Sequence, residues 1–189
     1  MYKEKGYEVV KGFISEELAH FLWGYFELNS YNKIERIVED TDKQVDNANS
    51  VYGDPAFDHL GAVSINKVQE VTAKILLPTY TYGRLYRKGS FLKKHKDRPS
   101  CEHSVSLCLG EDIIEPWPLM FKDFEGNTGG AYLCPGDAVV YKGTDLEHWR
   151  EPFKGNRQGQ LFLHYVDKDG AYSDWIYDKR EFLGRPSAL

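Results

Sequence analysis

The residues with the clearest chemical potential are His95 and Asp97, at the end of the stretch Tyr86-Arg-Lys-Gly-Ser-Phe-Leu-Lys-Lys-His95-Lys-Asp97. In extended backbone, side chains two apart lie on one face, so an imidazole nitrogen and a carboxylate oxygen can be presented to the same point. That is two-thirds of a facial metal site. A third ligand has to come from elsewhere. Among the remaining histidines the best placed is His148, in Asp145-Leu-Glu-His148-Trp after a short Lys-Gly-Thr turn. Two histidines and a carboxylate on one octahedral face leave open positions, the arrangement that suits non-haem Fe(II) centres activating O2. Zinc more often takes a closed tetrahedron, or three ligands and a water.

Nine residues past His148 stands Arg157, at the start of the alternating run Gln158-Gly-Gln-Leu161-Phe-Leu163-His-Tyr165. A planar, permanently charged fork at the mouth of an apolar strand is suited to gripping a carboxylate in bidentate fashion. Arg150, on the same face as His148 if that stretch is extended, and Lys154 are its rivals. If the last strand is regular, 157, 161 and 163 share one parity, so Leu161 and Leu163 line the site and His164 points away from the metal.

In this order and spacing, His95-X-Asp97, His148 about fifty residues on and Arg157 nine further, the chain resembles the 2-oxoglutarate and Fe(II)-dependent oxygenases, in particular the prolyl-4-hydroxylase-like branch. The resemblance covers roughly Tyr80 to Val166. Gly130-Ala-Tyr-Leu-Cys-Pro135-Gly136-Asp137-Ala-Val-Val-Tyr141 is similar to the family's strand, Pro-Gly turn and strand before the distal histidine. The resemblance implies a double-stranded β-helix of jelly-roll type, with His95, Asp97 and His148 as Fe(II) ligands. It further implies 2-oxoglutarate as co-substrate, its keto-acid end on the metal and its far carboxylate on Arg157, with O2 consumed, succinate and CO2 released and a C–H bond hydroxylated.

Tyr86 falls close to where relatives place a tyrosine that hydrogen-bonds that carboxylate, and Tyr82 shares its strand parity. Some relatives use a lysine about ten residues past the distal histidine, where this chain has Gln158. Halogenating members replace the acid with a small residue, so Asp97 favours hydroxylation. Peptidyl proline is the substrate that the branch implies, with a free amino acid or other small metabolite beside it. The reading from a different class is a β-barrel that binds metal and 2-oxoglutarate without turnover, as a sensor or binding protein.

A chain of 189 residues is long enough for one domain with a full core and short for two. Its 41% hydrophobic and 14% aromatic content argues for a globular, β-rich protein. The net charge of -5 is spread without long blocks, so no nucleic-acid footprint is expected. The exception is the basic group Arg84, Arg87, Lys88, Lys93, Lys94, Lys96 and Arg98, either a solvated strand and loop or an anion-attracting rim beside the metal. Cys101, Cys108 and Cys134, without C-X-X-C spacing, fit free thiols in a reducing compartment. The start lacks an apolar leader and no run reaches membrane-span length, so the expectation is a soluble, cytoplasmic protein.

The expected fold class is α+β, mainly β, with N-terminal helices packed on one sheet. Residues 1–78 would be helical support and lid, 79–167 the barrel core and 168–189 a C-terminal extension. Tyr7–Lys11 reads as a strand. Ser15 reads as the N-cap of a helix whose stripe of Leu18, Phe21, Leu22, Tyr25 and Phe26 is core. Asp40 to Asp58 has no clean periodicity and reads as a long loop, either a lid in which Val51, Tyr52 and Phe57 would cover a substrate or a disordered surface excursion. Val63 to Leu77 reads as a helix closed by Pro78. Strands follow at Thr79–Arg87, Ser104–Leu109, Leu119–Lys122, Ala131–Cys134, Ala138–Tyr141 and Gln160–Val166, with Pro135-Gly136 in a type II turn. His20, His59 and His103 have no ligand-like context. Trp117 and Trp149 either line the entrance or pack.

Overall fold

The computed structural model of the chain describes residues 2–31, 44–113 and 116–184. Helix α1 (Tyr2–Lys5) leads into strand β1 (Tyr7–Val10), and the long helix α2 (Glu16–Tyr31) opens at Ser15, whose hydroxyl accepts from the Leu18 amide at 3.2 Å. That bond satisfies one of the amides that a helix start leaves unpaired. Strand β2 (Asn49–Tyr52), α3 (Pro55–Val63) and α4 (Ile65–Thr72) follow. The rest is β3 (Leu76–Arg87), β4 (Leu92–His95), β5 (His103–Glu111), β6 (Leu119–Lys122), β7 (Thr128–Ala131), β8 (Ala138–Lys142), β9 (Glu147–Arg150) and β10 (Arg157–Asp167). Short 3-10 turns lie at Pro99–Cys101 and Ser173–Lys179.

Several boundaries differ from the sequence reading. Residues 40–43 of the expected loop lie outside the described residues; 44–48 are irregular as expected, but 49–52 form β2 and 55–58 the start of α3, and Val51 and Phe57 are buried in the core. Asp54 caps α3, accepting from the amides of Ala56 and Phe57 at 2.9 and 3.3 Å, with Pro55 at the helix start, where its missing N–H costs nothing. A cap followed by proline uses the same residue types as a turn, hence the misreading.

The expected helix 63–77 divides at Ser64 and ends at Ala73, which takes a left-handed φ of 54°. Pro78 therefore lies inside β3. Because β2 pairs only with Tyr82–Leu85, Pro78 has an open edge on that side, where a missing donor is tolerated. Strand β7 comes earlier than the expected Ala131–Cys134 and contains Gly129 and Gly130.

Two antiparallel sheets form the barrel, one of six strands in the order β1-β8-β5-β10-β3-β2 and one of four in the order β4-β9-β6-β7. This is the double-stranded β-helix arrangement. The turn at Pro135-Gly136 is closed by the Asp137 amide on the Cys134 carbonyl at 2.9 Å, with Gly136 at φ 88°, the sign that a type II turn demands at that position.

Strand β10 divides its residues between two environments. Leu161, Leu163 and Tyr165 share a buried cluster with Leu22 and Phe26 of α2, Phe57 and Leu60 of α3, and Leu85 of β3. Burying each such side chain is worth roughly 1.5–3 kcal/mol, so this face fixes the strand and leaves the alternate face free to be polar. Gln158, Gln160, Phe162 and His164 occupy that alternate face, where Gln160 donates to Ser106 and Phe162 and His164 reach a cavity. The apolar lining expected from Leu161 and Leu163, and the outward His164, are thus reversed.

The C-terminal segment is fastened through Asp58, 1% exposed, which accepts from the Thr81 amide at 2.9 Å, the Thr81 hydroxyl at 2.7 Å, the Gly184 amide at 2.7 Å and Arg180 at 3.1 Å. Arg180 and Asp58 are both fully enclosed. Asp58→Ala is expected to lower stability by roughly 3–5 kcal/mol, because it strands a buried guanidinium. Urea denaturation measures this, and a loss below about 1 kcal/mol would show that Arg180 reaches water instead.

Candidate metal centre and cavity

His95 and His148 are register partners across β4 and β9, the strand pair that brings the distal histidine to the His-X-Asp triplet. Asp97 lies two residues beyond β4, where its amide donates to the Gly143 carbonyl at 2.8 Å. The Lys142–Asp145 turn thus places His148 and also braces Asp97. The Nε2 atoms of both histidines stand 3.5 Å from the same Asp97 oxygen, and the two rings are 4.3 Å apart between centroids.

Each ring is oriented from behind. His95 Nδ1 is 2.8 Å from the Lys93 carbonyl and His148 Nδ1 is 3.0 Å from the Leu146 carbonyl. A carbonyl can only accept, so Nδ1 carries a proton and Nε2 is the nitrogen that each ring turns to the shared point. Burial by itself raises the Asp97 carboxyl, but its interaction with His148 and His95 outweighs this and holds it well below the usual carboxylate range. Two imidazole nitrogens and a carboxylate oxygen converging on one point form a site that a divalent cation would complete. Two imidazoles and one carboxylate fit Fe(II).

These three residues stand in the wall of a cavity of about 290 Å³ between the two sheets. The cations on this wall are not the expected one. Arg157 lies on the helix-facing parity of β10, away from the cavity, and its Nη1 donates to Glu27 of α2 at 2.6 Å. Its spacing from His148 matched, but its strand face did not. Lys154 is exposed. Arg84 of β3 reaches the cavity instead, 4% exposed, with its guanidinium over the rings of Tyr82, Tyr86 and Phe162.

Tyr86 is fully buried behind Arg84, whose Nη1 donates to its hydroxyl at 3.1 Å. Beyond Tyr86 lies Arg150, two residues past His148, which donates to the Trp117 carbonyl at 2.6 Å. Its Nε is buried without a partner, and among the described residues no carboxylate pairs with it. Burial pushes this guanidinium below its ordinary pKa.

Arg84 could have been found from the sequence. Tyr80, Tyr82, Arg84 and Tyr86 share one parity on β3, so a tyrosine read as inward carries the arginine with it. His164 had no comparable signal. It is buried on the cavity wall, hydrogen-bonded through Nδ1 to Ser104 at 2.8 Å, and burial lowers its pKa to about 4. Of the remaining candidates, His20 and His59 are exposed and His103 is buried against the Tyr2 hydroxyl. Trp117 packs in the core against Tyr86 and Phe153, while Trp149 stacks under Lys94 outside the barrel. Cys101, Cys108 and Cys134 are free thiols.

No family model and no curated protein matches the sequence. Solved structures match the fold. A prolyl-4-hydroxylase from Pseudomonas putida superposes with a TM-score of 0.66 at 17% identity, over 88% of this chain and 95% of that one. HygX from Streptomyces hygroscopicus, solved with nickel and 2-oxoglutarate bound, gives a TM-score of 0.68 at 14% identity over 89% and 85%. The non-haem α-ketoglutarate-dependent carbocyclase SnoK of nogalamycin biosynthesis gives 0.72 at 12% identity over 89% and 82%. The chain has the fold these oxygenases share.

Gly143 tests the brace behind Asp97, since a Cβ there would fall on the Asp97 carboxylate and the Cys101 carbonyl. Gly143→Ala is expected to weaken Mn(II) binding, read by electron paramagnetic resonance, by about 10–100-fold with the fold retained. Unchanged Mn(II) affinity would mean that Asp97 is not held by this turn.

Proposed function

We propose that the chain is a 2-oxoglutarate- and Fe(II)-dependent dioxygenase that hydroxylates an unactivated C–H of a peptidyl, including prolyl, or small-molecule substrate and releases succinate and CO2. The observation that carries this reading is the convergence of His95, Asp97 and His148 in the wall of a barrel cavity, each imidazole turning Nε2 to the shared point. These three residues would hold the metal. When bound, the metal supplies O2 activation coupled to decarboxylation of the 2-oxo acid. That HygX holds nickel together with 2-oxoglutarate on the same fold supports the pairing.

The remaining work falls to the chain's own side chains. Arg84 is assigned the far carboxylate of 2-oxoglutarate, since it is the buried guanidinium on the cavity wall and a planar fork suits a carboxylate. Tyr86 positions Arg84 through its hydroxyl rather than touching the co-substrate. Arg150, buried and with no ion pair among the described residues, adds positive field behind them in a medium of low dielectric. Tyr82 and Phe162 wall the cavity with apolar surface and limit water. Arg157 has no part in this site.

Succinate release from 2-oxoglutarate in the presence of Fe(II) separates this reading from a binding protein that does not turn over. Asp97→Ala should abolish succinate release while the circular dichroism spectrum stays that of the wild type. Arg84→Ala should raise the 2-oxoglutarate KM on the order of a hundredfold, the loss of a charge-assisted pair. Arg157→Ala should leave that KM within about twofold, as expected for an ion pair open to solvent. The opposite ranking of the two arginines would return the role to Arg157.

A further inference from the structure

The C-terminal turn carries a carboxylate to the mouth of the cavity. Arg98 Nη1 and Nη2 donate to the two oxygens of Asp178, both at 2.8 Å, and the Tyr52 hydroxyl donates to one of them at 2.6 Å. The Arg98 guanidinium lies over the Tyr80 ring, 4.7 Å from its centroid. Arg98, Tyr52 and Tyr80 are all cavity-wall residues, and Arg98 directly follows Asp97. A planar fork, a hydroxyl donor and an aromatic floor make a complete carboxylate receptor.

The acid in that receptor is delivered by unfavourable backbone. Tyr177, Asp178 and Lys179 have φ values of 53°, 55° and 62°, three successive residues with a Cβ in the left-handed region. Such a conformation persists only where surrounding contacts over-determine it, and such sites cluster at ligand clamps and switches. The segment has a second fastening that does not involve Asp178. Arg180 is tied to Asp58 at 3.1 Å and to the Thr79 carbonyl at 3.2 Å, and the Gly184 amide is tied to Asp58. Asp178 can therefore leave the receptor without releasing the chain.

We propose that Arg98 and Tyr52 form a binding subsite for a carboxylate of the substrate, filled by Asp178 in the free protein, and that the substrate is an amino acid or peptide side chain bearing a free carboxylate. Exchange replaces one carboxylate by another on the same donors and lets the left-handed turn relax. A ligand held there lies beside the His95, Asp97 and His148 cluster. The choice of substrate class rests on the oxygenase reading, whereas binding by the receptor does not.

The test is binding of N-acetylglutamate and N-acetylglutamine, both with the α-carboxylate capped as a carboxamide so that the side-chain acid is the one difference, to the metal-free, full-length chain by titration calorimetry. The tethered Asp178 competes at high effective concentration. Asp178→Asn cannot accept from both arms of the fork, so it should bind N-acetylglutamate at least about tenfold more tightly than the wild type. N-acetylglutamine should gain nothing, and Asp178→Asn combined with Arg98→Gln should lose the gain. No gain, an equal gain for the amide, or a gain that survives Arg98→Gln overturns the proposal.

Should Asp178→Asn disturb the fold, the wild-type chain supplies a second reading. N-acetylglutamate at high concentration should speed proteolysis within residues 173–184, and N-acetylglutamine should not; equal cleavage with both also overturns the proposal. Succinate release is scored separately. Acid-selective binding without succinate release removes the oxygenase reading and keeps the subsite, and succinate release without acid-selective binding does the reverse.

Discussion

The pairing of β10 with β3 on one side and β5 on the other is the constraint on which the rest depends. These central strands present opposite faces to two unlike environments, and a sheet cannot satisfy one face without committing the other. Leu85, Leu161, Leu163 and Tyr165 commit one face to the apolar cluster shared with α2 and α3. With the strands anchored there, the other face can afford Arg84, Gln158, Gln160 and His164, which would be costly in an ordinary core. The cavity is polar because the opposite side of the same strands is not.

Charge is layered through the space between the two sheets. At one end stand His95, Asp97 and His148; deeper in, Arg84 and Arg150 flank Tyr86; at the rim lies Arg98. On the function proposed above, a dicarboxylic 2-oxo acid with a divalent metal would meet His95, Asp97 and His148 at one end and Arg84 at the other. Among the described residues Arg150 hydrogen-bonds only a neutral carbonyl, and burial disfavours its charge.

What the sequence disclosed followed from how local each feature is. The metal cluster was legible because His95 and Asp97 are two residues apart and His148 follows a tight turn, so few conformations were at issue. Arg157 misled because spacing counts residues while strand phase decides the face. Its phase was guessed from its supposed role, and Leu161, Leu163 and His164 were then misassigned together. The register of β10 also shifts between Gly159 and Gln160 against β5 and between Leu163 and Tyr165 against β3, which no periodicity announces. Of the described part of the expected lid, Gln44 and Tyr52 reach the cavity, and what draws Tyr52 there is pairing of β2 with β3, a contact between segments about thirty residues apart.

Among the described residues, strand β4 stands at the outer edge of the four-stranded sheet, paired only with β9. An edge strand offers a row of unpaired amides and carbonyls to any passing β-segment, including another copy of itself. Lys93, Lys94 and Lys96 alternate with and flank His95 there, all three exposed. Long cations on an exposed strand oppose stacking of a second strand against it through charge repulsion and the loss of their hydration. These three lysines thus guard against aggregation and keep the edge that carries His95 from being claimed by a neighbouring chain.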